Sequence, residues 1–119
     1  MERRTILIVE DDVGLSTMLR LLLEDAGYGV LRAANGAEAL DALSRGQPSL
    51  ILLDLRMPVM DGPTFLRTAT ERYGQQAPPV IVMTAYHDLD PEIVRLGLPV
   101  VNKPMNMDRL LTLIAASVA

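Results

Sequence analysis

Four blocks of the sequence are apolar runs that end in a group able to do chemistry. Ile6-Leu7-Ile8-Val9 runs into Glu10, Asp11 and Asp12, and Leu50-Ile51-Leu52-Leu53 runs into Asp54. Val80-Ile81-Val82-Met83 is followed by Thr84, and Val100-Val101 by Asn102 and Lys103. If these runs are strands of one parallel sheet, all of these groups lie along its carboxyl edge, where such sheets bind ligands. Carboxylates gathered there repel, and one is driven toward protonation unless a cation intervenes. An all-oxygen set suits Mg²⁺, a hard ion held by one or two carboxylates with phosphate oxygens and water. Lys103 supplies a second positive charge. A carboxylate beside those cations is a competent nucleophile toward phosphorus, forming an aspartyl phosphate. Metal and ammonium then offset charge on the equatorial oxygens during in-line transfer. The Thr84 hydroxyl can donate to one of those oxygens.

Each group also has a plainer reading. An acidic run after a strand serves as a solvated loop or helix cap, and Asp12 fits a cap on the helix that follows. Asp54 is harder to dismiss, because a carboxylate directly after Leu-Ile-Leu-Leu needs a partner or a task. Met57, Met60, Met105 and Met107 read as gap fillers. His87, the single histidine, reads as a loop residue. Gly62 is expected to supply a turn conformation before Pro63 opens a helix.

The elements that must position these groups follow from periodicity. Thr5–Val9 is a short strand, and Leu15, Met18, Leu19, Leu22, Leu23 and Ala26 recur on one helical face closed by Gly27. Gly29–Ala33 is a weaker second strand. Asn35 to Glu38 is a capping-box variant opening a helix through Leu43, closed by Gly46. Leu50–Leu53 is the third strand, and Pro63–Tyr73 is a helix stopped by Gly74. Val80–Met83 is the fourth strand, Pro91–Leu96 a short helix, and Val100-Val101 a very short fifth strand. Asn106 caps a last helix carrying Met107, Leu110, Leu111, Ile114, Ala115 and Val118. The runs at 6–9, 50–53 and 80–83 are uninterrupted, as in strands buried on both faces of a parallel sheet. The expected fold is therefore α/β, a doubly wound five-stranded parallel sheet with five helices, flavodoxin-like in outline.

Composition narrows the function. The 119 residues suit one domain, 1–119, and half of them are hydrophobic against 22% charged, a globular balance. With no cysteine, disulfides, thiolate metal sites and cysteine nucleophiles are excluded. A net charge of −4 and 3% aromatics argue against a nucleic-acid surface. No apolar run approaches the ~20 residues of a membrane span, and the run after Arg4 is too short for a signal peptide, so a cytoplasmic location is expected.

ILIVEDD (6–12), LILLDLRMPVMDG (50–62), VIVMTAY (80–86) and NKPMN (102–106), in this order and at these spacings, resemble the motifs of bacterial response-regulator receiver domains. The resemblance covers essentially the whole chain. It implies that Glu10 and Asp11 are the acidic pair and Asp54 the phosphoacceptor. It also implies that the backbone carbonyl of Arg56 completes the protein ligands of Mg²⁺. Thr84 would be the switch hydroxyl, and Lys103 the active-site lysine, joined to Pro104 by a cis peptide. The implied partner is a histidine kinase or a histidine phosphotransfer protein. Oligomeric state is left open, a phosphorylation-dependent dimer included. Such a domain catalyses only its own phosphorylation and dephosphorylation.

The chain departs from the pattern at the output side. Val100 stands where receivers commonly carry Tyr or Phe, Leu98-Pro99 replaces a small, acidic turn, and the Thr84–Lys103 stretch is short, so the fourth helix should be abbreviated. Arg56 and Tyr86 occupy the positions that in receivers flank water's path to the phosphoryl group. Four rival readings make different demands on the sequence. A phosphatase of the haloacid dehalogenase type would want a second acid where Arg56 stands, and a cap insertion. A flavodoxin-type cofactor binder would want a phosphate loop rather than acids after the first strand. A pseudo-receiver would not need Asp54, Thr84 and Lys103 together. A receiver excised from a hybrid sensor histidine kinase or multidomain regulator is the alternative that the motifs leave standing.

Overall fold

A computed structural model describes residues 4–85 and 91–118, so Tyr86 and His87 lie outside the described residues. Five strands alternate with five helices: β1 (Thr5–Val9), α1 (Val13–Asp25), β2 (Gly29–Ala33), α2 (Gly36–Arg45), β3 (Leu50–Asp54), α3 (Gly62–Tyr73), β4 (Val80–Thr84), α4 (Pro91–Arg95), β5 (Val100–Asn102) and α5 (Met107–Val118). All strands are parallel in the order β2-β1-β3-β4-β5. The chain steps outward from β1 to β2 and then back past β1 to β3, which puts the switch point between β1 and β3. The doubly wound expectation holds.

Alternating side chains divide the core. Leu7, Val9, Ile51, Leu53 and Val82 pack with Leu40, Phe65, Leu66 and Ile93, from α2, α3 and α4. Ile6, Ile8, Leu50, Leu52, Ile81 and Met83 pack on the other side with Leu19, Leu23, Leu110 and Ile114, from α1 and α5. Both faces of the central strands are thereby dry, which is why their sequences read as unbroken apolar runs.

The helix caps explain the boundaries. Asp12 accepts from the Leu15 N–H at 3.1 Å, Asn35 from Glu38 N–H at 3.0 Å, and Asn106 from Arg109 N–H at 3.0 Å. Glu38 reciprocates by accepting from the Ala34 N–H at 3.0 Å. The Lys103–Pro104 peptide is cis, as expected, and α4 is indeed a five-residue stub.

Two expectations need correction. The buried stripe of α1 is Ser16, Leu19 and Leu23, while Met18 is 47% exposed and Ala26 lies beyond the last turn. Ser16 is drawn inward by Arg32 of β2, whose Nε donates to its Oγ at 2.9 Å. Gly62 is no left-handed turn residue but the first residue of α3. A Cβ there would lie 2.8 Å from both the Asp54 carbonyl oxygen and the Leu55 Cα. The positive φ of this loop falls instead at Val59, at 68°. The Met60 N–H donates to the Pro58 carbonyl at 2.7 Å, closing a tight turn around Val59.

Candidate functional site

The carboxyl edge of the sheet collects the groups expected there. Glu10 leaves β1 still in ladder register, its N–H donating to the Ala33 carbonyl at 3.0 Å, and this directs its side chain into the rim. Asp54 is the last residue of β3. Lys103 follows β5, and its N–H donates to the Thr84 carbonyl at 2.8 Å, tying the ends of β4 and β5 together. Glu10, Asp11 and Asp54 each bring a carboxylate oxygen within 4.8 Å of the others, with Glu10 and Asp54 buried and Asp11 exposed.

Both oxygens of Glu10 are engaged. Oε1 accepts from Lys103 Nζ at 2.6 Å, and Oε2 from the Asp12 N–H at 3.2 Å. Lys103 Nζ lies farther from Asp54, 3.5 Å from Oδ1, so its closer partner is Glu10. Asp54 Oδ1 also faces the backbone N–H of Arg56 at 3.4 Å. Thr84, almost wholly buried, ends the adjacent strand, and its hydroxyl donates to the Ala85 carbonyl at 3.0 Å. The rim thus brings Glu10, Asp11, Asp54 and Lys103 into contact range, while the Thr84 hydroxyl is occupied by its own loop. An open cleft of about 560 Å³ adjoins the rim, lined by Asp11, Leu55, Arg56, Met57, Pro58, Asp61 and Pro63.

The electrostatics reflect the burial of charged groups at the rim. Burial pushes the Glu10 carboxyl up to about 7; the Asp54 charge adds to this, and the bonds from Lys103 and Asp12 offset only part. Burial opposes the charge on Lys103 too, but its hydrogen bond to Glu10 and the charges of Glu10 and Asp54 outweigh that and raise its pKa. One ammonium against three carboxylates is a donor set that fits a hard divalent cation.

From the sequence, Asp12 reads only as a helix cap. Its side chain is one, but its backbone N–H also fixes Glu10. The adjacent turn at Val59 gave no sequence signal, since valine is a poor candidate for positive φ. Val100 is half-buried against the α2–α4 side of the core.

The family model of the response regulator receiver domain matches residues 6–115. Sporulation initiation phosphotransferase F of Bacillus subtilis (strain 168) is 37% identical over 113 residues, 92% of this chain and 90% of that protein. The DNA-binding transcriptional regulator NtrC of Escherichia coli (strain K12) is 33% identical over 122 residues, which is all of this chain but 26% of NtrC. The chain therefore spans about a quarter of that relative's length. The structure of chemotaxis protein CheY4 of Vibrio cholerae is similar at a TM-score of 0.85 and 28% identity, covering 98% of this chain and 99% of that one. With the family model matched over nearly its whole length, and relatives above 30% identity spanning it, this chain belongs to the response-regulator receiver domain family.

Proposed function

We propose that the chain, read as one domain over 1–119, accepts a phosphoryl group on Asp54 from a phosphohistidine of a histidine kinase or phosphotransfer protein. The observation that carries this reading is the buried Asp54 carboxylate beside Lys103 and two further acids at the switch point of a parallel sheet. An Asp54 oxygen attacks phosphorus in line, the new O–P bond forms as the P–N bond breaks, and the imidazole leaves with that electron pair. Asp11, Asp54 and the Arg56 carbonyl are the ligands proposed for Mg²⁺, with Glu10 supporting them through water. When bound, the ion supplies charge neutralisation on the transferring oxygens. Lys103 exchanges part of its bond to Glu10 for a phosphoryl oxygen. Thr84 exchanges the Ala85 carbonyl for another, and that movement is the switch.

The test is phosphorylation by a small donor such as acetyl phosphate with Mg²⁺, read by intact mass. The wild-type domain gains the mass of HPO₃ and Asp54→Asn does not. An adduct of that mass in the variant would overturn the assignment.

A further inference from the structure

Beside the carboxylate rim, the loop between β3 and α3 is held by a residue that touches none of the reacting groups. The Gly36 N–H, at the first position of α2, donates to the Met60 carbonyl at 2.9 Å. That N–H has no partner within its own helix, so the loop carbonyl caps it. Contact at this point is closer than any side chain permits. A Cβ on Gly36 would lie 2.7 Å from Met60 Cγ, 2.9 Å from its carbonyl oxygen and 3.0 Å from its Sδ. The other end of the loop is closed by the Gly62 N–H, which donates to the Leu55 carbonyl at 3.0 Å. Between these fastenings stands the Val59 turn. The span from Leu55 to Gly62 is therefore pinned at its base and at its crown, with Arg56 inside it.

We infer that Gly36 and Met60 form a latch that positions the Arg56 backbone for the metal, an inference that rests on the Mg²⁺ site proposed above. Mg²⁺ demands near-ideal octahedral geometry and bonds of 2.0–2.1 Å, so it tolerates ligand displacements of only about 0.2 Å. Moving the Met60 carbonyl from 2.9 Å to ordinary contact with a new methyl group takes several tenths of an ångström, more than the site tolerates. The side chain of Met60 can swing away, but its backbone cannot do so without carrying the loop. Gly36 and Met60 are positioning residues, acting through Arg56. The carboxylates of Asp54, at the end of β3, and of Glu10 and Asp11, directly after β1, are anchored by strands that the latch does not touch.

The experiment measures Mg²⁺ affinity by calorimetric titration of the unphosphorylated domain. In parallel it measures the Mg²⁺ dependence of phosphorylation by acetyl phosphate, for wild type, Gly36→Ala, Met60→Ala and, as a ligand-loss reference, Asp11→Ala. Supporting contacts of this kind cost roughly tenfold or more in metal affinity. Gly36→Ala is expected to raise the Mg²⁺ dissociation constant and the half-saturating Mg²⁺ concentration by roughly tenfold. The rate at saturating Mg²⁺ should stay within about twofold of wild type, a split that loss of fold stability alone does not produce. Met60→Ala keeps the backbone bond and removes only the side chain, so it is the control for side-chain loss, and an affinity loss as large as that of Gly36→Ala would overturn the assignment to the backbone. Unchanged Mg²⁺ affinity in folded Gly36→Ala would overturn the latch while leaving the metal site intact. If Gly36→Ala does not fold, amide exchange on the wild-type domain decides the matter: exchange at Gly36 should slow when Mg²⁺ is added, and exchange unchanged by bound Mg²⁺ would overturn the latch. Absence of Mg²⁺ binding by the wild-type domain would overturn the metal site itself, and the latch with it.

Discussion

Glu10 makes the apo domain lose stability as the pH rises toward neutrality. Its carboxyl titrates near 7 in the fold and near 4.5 in an unfolded chain, chiefly because it is buried. Below about pH 4.5 both states hold the proton. Between 4.5 and about 7 the unfolded chain releases it first, so the folded state binds more protons and the free energy of unfolding falls with rising pH. Above about 7 the loss is complete. At 1.36 kcal/mol per unit of pKa difference, the whole effect is about 3 kcal/mol, a large share of a small domain's stability. Mg²⁺ bound to the ionised cluster, as proposed, would stabilise increasingly over the same interval and offset the loss. Urea unfolding in EDTA from pH 4.5 to 8, on wild type and Glu10→Gln, isolates the residue. The variant carries no proton at this position, so the wild-type midpoint should fall more steeply with pH, and adding Mg²⁺ should flatten the wild-type curve. Parallel pH profiles for the two proteins in EDTA would refute the reasoning.

Val59, 85% exposed and held at φ 68°, should be improved by glycine. Left-handed strain of ~1–3 kcal/mol less glycine's entropy cost of ~0.5–1 leaves Val59→Gly about 1 kcal/mol more stable, and a urea midpoint no higher than wild type would contradict this. Arg56 borders the cleft beside the acids, and the family resemblance implies a role for it and for Tyr86 in gating water. Arg56→Asn combined with Tyr86→Glu should shorten the phosphoryl half-life about tenfold, a barrier change of ~1.4 kcal/mol, and an unchanged half-life would show that these side chains do not gate water. Val100 has too few atoms to swing between buried and exposed states, so a beryllium fluoride mimic of the phosphoryl group should alter amide exchange in α4 and β5; changes confined to α1 and α2 would sink that expectation.

Most of this architecture was legible because burial on both faces leaves a plain mark. The runs ending at Val9, Leu53 and Met83 located the central strands, and their following residues located the rim. Asn35, Asn106 and Asp12 announced the helix starts through side chains that serve as caps. What could not be read involved choices settled by tertiary contact. Periodicity placed Met18 and Ala26 on the inner face of α1, but pairing with Arg32 put Ser16 there instead. At the site, residue types specified which groups meet but not how they share bonds. That Lys103 sits 2.6 Å from Glu10 and 3.5 Å from Asp54 depends on the exact exit of β5. Gly62 reads from the sequence as a turn glycine, but close approach is what requires it, and nothing local distinguishes the two needs.

The ion pair between Lys103 and Glu10 joins residues 93 positions apart. Closing a loop of that length costs about 4 kcal/mol of chain entropy, more than an ion pair of this kind contributes by itself. The pair cannot draw the ends of the chain together; the sheet closes that loop first, by docking β5 against β4. Assembly therefore has a direction. As the polypeptide leaves the ribosome, Glu10, Asp11 and Asp54 are all synthesised before Lys103, and β5 supplies the ammonium last. A folding intermediate that has paired β1 with β3 and not yet added β5 holds three mutually repelling carboxylates at its edge. The bond to Lys103 is in this sense a report that the whole sheet has formed, and the phosphoryl chemistry proposed for that lysine would wait for the complete domain.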